Sequence, residues 1–175
     1  MSHLIITVLT IALMAAAATV TVNYLPTWPA AASTAERQLR EALPRIEQAY
    51  DVLTRAAEGV PPDTDMGADG GFSRVFQPVL QFMPAAPRGY SWRYGQHVDD
   101  GSMYSNMHFV CLAANGGTTE GPGRGLYRAV ATFSPDQAVI NTGCGATSSV
   151  APPAKWGTEP RSVTFYLAYT PGITR

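Results

Sequence analysis

Charge is what this sequence has least of. No Asp, Glu, Lys or Arg occurs before Glu36, and charged side chains make up 14% of the 175 residues, with a net charge of −1. A nucleic-acid surface needs clustered Lys and Arg to release counterions. Here the single lysine, Lys155, and the arginines are scattered between Arg37 and Arg175. Nucleic acid is therefore not an expected partner, and a polybasic lipid-binding patch is not expected either.

Motifs of chemistry are equally scarce. There is no phosphate-binding glycine loop followed by a helix, no nucleophile elbow, and no helical face carrying paired carboxylates in an apolar surround. The histidines number 3: His3, His97 and His108. His97, with Asp99 and Asp100, could form a metal or His–Asp cluster, but a polar turn between strands accounts for the same residues. His108 alternates with Met107 and Phe109, which places it on the solvent side or on the second face of a sheet. No catalytic, cofactor-binding or metal-binding residue is assigned, and an enzyme is not expected.

Only 2 cysteines occur, Cys111 and Cys144. They form no CxxC pair and have no His or Cys companions for zinc. In an exported domain a single disulfide is the first expectation, and two free thiols the second.

What the sequence does have is one long apolar run. Residues 4–22 (LIITVLTIALMAAAATVTV) are almost wholly apolar. About 20 residues rising about 1.5 Å each match a hydrocarbon core roughly 30 Å thick. A secretory signal would also fit, because Ala15–Ala17 and Ala16–Ala18 satisfy a small-residue cleavage pattern. Against that, Met1-Ser2-His3 lacks Lys and Arg, and the apolar character continues to Leu25. Tyr24 and Trp28 follow where an interfacial aromatic belt would stand. A retained helix over 1–25 is expected, then a proline-containing junction over 26–32, then one extracytoplasmic domain over 33–175.

Ser33 and Glu36 fit an S-x-x-E capping box, which predicts a helix from about Thr34 to Glu58, stopped by Gly59 and Pro61-Pro62. Leu39, Leu43, Ile46, Tyr50, Leu53 and Ala57 recur at spacings of about three to four, the mark of one apolar stripe. Pro44 should kink this helix. Ser73–Phe82 predicts a short helix. Tyr90, Trp92 and Tyr94 alternate with polar neighbours, and 107–113, 126–133, 138–141 and 163–169 also read as strands. Ser134-Pro135-Asp136 predicts a hairpin turn between 126–133 and 138–144. Residues 115–125 (NGGTTEGPGRG) and 148–160 read as loops. The fold class is α+β: a long N-terminal hydrophobic helix continuing into an amphipathic helix packed on an antiparallel β-sheet.

An uncharged N-terminal helix, a proline break, an amphipathic continuation and a late antiparallel sheet with one cysteine pair resemble a type IV pilin, most of all the type IVb pilins and pilin-like minor subunits. The resemblance covers the layout of the whole chain and rests on no specific motif. It implies an assembly role without a cofactor. Leu4, Val8, Ala12, Ala15 and Ala16 would pack first in lipid and then against other pilin subunits. Leu39, Leu43, Ile46, Tyr50 and Leu53 would lie on the sheet, and Cys111–Cys144 would staple the C-terminal region. The protein would reside in the inner membrane with a periplasmic domain, or in an extracellular filament after assembly. Two residues depart from the family pattern. No glycine precedes Gly59, and Ile5 stands where most mature pilins carry glutamate. A tip or minor subunit, or an accessory protein of the machinery, would suit that departure. The other expectation is an anchored or secreted periplasmic binding domain using loops 115–125 and 148–160.

Overall fold

A computed structural model describes residues 28–64, 71–116, 120–156 and 159–167. The apolar run 4–22, with Leu4, Val8, Ala12, Ala15 and Ala16, lies outside the described residues. Among those that are described, no helix is long and apolar enough to cross a membrane.

Helix α1 spans Trp28–Ala56 with Pro44 inside it. It is helical six residues before Thr34, so residues 28–32 belong to the helix and not to a junction. The expected capping box does not form. Ser33 lies inside the first turns, where its hydroxyl donates to Ala30 O at 3.0 Å. The physical reason is local. Pro29 occupies a first-turn position where a missing N–H costs nothing, and Ala30–Ala32 are the best helix formers available. The C-terminus behaves more as expected. Gly59 N donates to Thr54 O at 2.8 Å, closing the helix end, with Glu58 in the left-handed region at φ 55°.

Helix α2 is short, Phe72–Phe76. Among the described residues four strands follow: β1 Tyr90–Gln96, β2 His108–Ala114, β3 Ala138–Asn141 and β4 Ser162–Leu167. Every pairing is antiparallel and the order is β1-β2-β4-β3. Between β2 and β3 stands helix α3, Glu120–Val130. That overturns two expectations at once: Gly121–Gly125 is helix, not turn, and 126–133 is no strand, so the hairpin ending at 138–144 is absent.

Glycine is a poor helix former, and here tertiary contact outweighs propensity. Gly121 and Gly125 stand four apart on one face and lie against the backbone of Trp28 and Ala32. A Cβ at Gly121 would stand 2.7 Å from the Ala31 methyl. Small residues at that spacing let two helices approach backbone to backbone.

The sheet separates two clusters by its period of two. On one face Trp92, Tyr94, Val110, Leu112, Ile140, Val163 and Phe165 join Leu39, Leu43, Ile46 and Tyr50 of α1, with Leu126 and Ala129 of α3. Leu39, Leu43, Ile46 and Tyr50 are at most 3% exposed, so they serve this domain's own core, and Leu53 packs on its margin. On the other face Tyr104, Phe109, Cys111, Val139 and Tyr166 form a smaller cluster. Central strands β2 and β4 are thus buried on both faces, while the edge strand β1 alternates.

Candidate functional site

The smaller cluster is built around the disulfide. Cys111 and Cys144 are bonded, as the sequence suggested, with Cα atoms 5.8 Å apart. The bond pins the loop after β3 against β2. Thr164 of β4 reinforces it: its hydroxyl accepts from Gly145 N at 2.9 Å and donates to Cys111 Sγ at 3.8 Å. Tyr166 donates to Ala146 O at 3.2 Å.

The loop between β1 and β2 is tied to the same place through His97. Its Nδ1 lies 3.0 Å from Gly145 O, and its Nε2 lies 3.0 Å from Asp100 Oδ2. Asp100 also accepts from Ser102 N at 2.9 Å and from the Ser105 hydroxyl at 3.0 Å. Ser102 first, then His97, hold the Asp100 carboxyl well below the usual carboxylate range. His97 and Asp100 therefore meet as the sequence placed them, but as the brace of a polar turn. Among the described residues no group of three His, Cys, Asp or Glu could hold a metal.

The brace positions Tyr104 against Tyr166, stacked at 4.2 Å between ring centroids. These rings floor an open groove of about 620 Å³. Its apolar wall is Met103, Met107 and Leu167, and its rim carries Glu47, Asp51 and Asp136. Among the described residues Arg55 is the one cation lining the groove, and it is paired to Asp51 at 2.9 Å. Gln137 donates to Glu47 at 3.0 Å across the groove. Burial, then the neighbouring Tyr104 and Asp100, push the Tyr166 hydroxyl up to about 12. Burial and Asp136 raise Tyr104 too. Both phenols stay neutral at physiological pH, so the groove combines a soft apolar floor with an excess of carboxylates. It suits a cationic side chain flanked by apolar groups.

His108 lies away from this site. It is on the α1 face of the sheet, not on the solvent side or second face, with its ring stacked on Tyr94 at 5.7 Å and near Tyr50 at 6.2 Å. The sequence did not reveal the groove, because its walls come from four separate segments. The available signal was the Glu47/Asp51 pair at helical spacing on the charged side of α1. The loops expected to bind fare differently. Residues 120–125 are helical and mostly buried, while 148–150 bond to β3 and Pro152, Pro153 and Trp156 border the Trp28 end of α1.

No family profile, curated protein or solved structure matches this chain.

Proposed function

We propose that this chain is a pilin-like structural subunit, anchored by residues 4–22 and assembled through that segment with other subunits, with no catalytic role. One observation carries the reading. A 29-residue helix, already helical at Trp28, lies directly behind a charge-free apolar run and rests on a four-stranded antiparallel sheet closed by one disulfide. That arrangement places a folded head behind an apolar segment of the sequence. Lipid is as apolar as leucine, so subunit association would rest on close packing of small residues, Ala12 and Ala15–Ala18 among them. Replacing Ala16 and Ala17 by Leu in the native host tests this: filaments carrying the chain should fall away while the membrane-bound pool persists. Unchanged filaments would sink the packing role.

A second reading, an anchored periplasmic binding domain, is favoured by the acidic groove. Asp51 lies 23 residues beyond Trp28, or about 35 Å along a helix at about 1.5 Å per residue. The groove is thus far from the anchor, where a partner can reach it. Binding of a Lys- and Phe-containing peptide that is lost in Glu47→Gln/Asp136→Asn, in cells without filaments carrying the chain, would favour this reading.

A further inference from the structure

The end of α1 opposite the groove has a composition of its own. Trp28, Arg124, Tyr127, Arg128, Pro152, Pro153 and Trp156 surround an open recess of about 480 Å³. Arg124 lies between two indoles, its Cζ 4.6 Å from the Trp28 ring centroid and 5.3 Å from that of Trp156. Trp156 rests on Gly123, where a Cβ would stand 2.5 Å from the ring, and meets Tyr127 edge-on at 5.7 Å. Tyr127 in turn donates to Val150 O and Ala151 O at 3.1 and 3.0 Å. The loop carrying Trp156 is therefore held beside Trp28 by aromatic packing and hydrogen bonds. The carboxylates of the described residues around it are engaged: Glu120 with Arg124 at 3.4 Å, Glu36 with Arg128 at 3.5 Å and Arg40 at 2.9 Å, and Glu159 with Arg161 at 2.7 Å.

Position decides what this surface meets. Trp28 is three residues beyond Leu25, the end of the apolar character that begins at Leu4. Whatever holds residues 4–22 brings the Trp28 end of the domain to its boundary. Indole and phenol rings with an apolar body and a polar edge, beside arginines whose stems are apolar, are the side chains that settle at a bilayer–water interface. The two ends of α1 differ accordingly, carboxylate-rimmed at the far end and Trp/Arg/Pro at the near end.

We propose that the Trp28–Arg124–Trp156 surface seats the domain on the phospholipid headgroup layer, with Trp156 and Pro152 entering the interface beside the anchor. This rests on residues 4–22 being retained in a membrane. The seat fixes the tilt of the head before assembly, and it makes 152–156 a membrane-facing loop.

The test uses the full chain in phosphatidylcholine vesicles, a fraction of whose lipids carry a nitroxide high on the acyl chain. Flotation first reports whether the chain is membrane-bound. Emission of the wild type minus that of Trp156→Phe isolates Trp156, and wild type minus Trp92→Phe isolates the core indole. The Trp156 component should lose about half its emission or more to the shallow quencher, and the Trp92 component little. If Trp92→Phe fails to fold, Trp156→Phe with aqueous acrylamide as second quencher still decides. Trp156 should then be shielded from acrylamide and open to the nitroxide. A floating chain whose Trp156 resists the nitroxide overturns the seat and leaves the anchor standing. Shielding from both quenchers means that another protein copy covers this end, which also overturns it. A chain that does not float removes the anchor and the seat together.

Discussion

Gly125 and Ala32 meet backbone to backbone, so closely that a methyl group at Gly125 would overlap the Ala32 carbonyl oxygen. The contact joins the first turns of α1 to α3, and no side chain can relieve the overlap by rotating. Gly125→Ala should destabilise the domain by about 2–3 kcal/mol, because overpacking outweighs the gain in helix propensity. Gly143→Ala, where the added methyl meets nothing within 4 Å, is the control. Urea unfolding of the full chain measures both. Equal midpoints for the two variants would contradict the close approach.

The same contact explains where the sequence was opaque. Strand β1 was legible because aromatic residues alternate with polar ones, β2 as a short apolar run, and β3 matched its expected span of 138–141. The stripe Leu39, Leu43, Ile46 and Tyr50 was legible from its helical spacing, and the cysteine pair from their isolation. Helix α3 was not legible. Its glycines look like loop residues until α1 is set against them, and that contact joins residues about 90 positions apart. The clue was present all the same: Pro122 in a first turn after Glu120, then Gly121 and Gly125 at helical spacing. The groove and the Trp28 surface needed the tertiary fold, because no single segment supplies either.

Glu58 adopts φ 55° at the end of α1, one residue before a glycine. A Cβ is unfavourable there, and glycine is the residue that helix ends normally place in that conformation. Glu58→Gly should raise stability by about 0.5–1 kcal/mol, read as a higher urea midpoint. A lower midpoint would mean that the Glu58 side chain makes a contribution larger than the strain.

Reducing or removing the disulfide, as in Cys111→Ala/Cys144→Ala, releases a loop with a sequence separation of 33. The chain-entropy argument sets the loss at about 3–4 kcal/mol. The groove should suffer with it, because Tyr166 and His97 both bond to the loop that the disulfide pins. Near-ultraviolet circular dichroism of the tyrosines should lose intensity before the far-ultraviolet signal changes. Simultaneous loss of both would show that the small cluster is not a separable unit.

Burial lowers the folded-state pKa of His108 below its ordinary value. The unfolded chain therefore binds the proton more readily than the folded one, and stability rises with pH across this titration. The contribution is complete above about pH 6.5, the unfolded value, and is lost as pH falls below it. Asp100 acts in a lower window: its carboxyl is also depressed, so its contribution holds above the unfolded value of 3.8 and fades in stronger acid. His108→Phe keeps a ring against Tyr94 and should flatten the unfolding midpoint between about pH 7 and 5. An unchanged pH slope in that variant would exclude His108 as its source.

The most direct test of the central claim is to shear native cells, separate filaments from envelope, and identify this chain and its N-terminal residue in each fraction by mass spectrometry. The account predicts the chain in the filament fraction, with residues 4–22 intact. A chain confined to the envelope, or a soluble form beginning near Ala18, would contradict it.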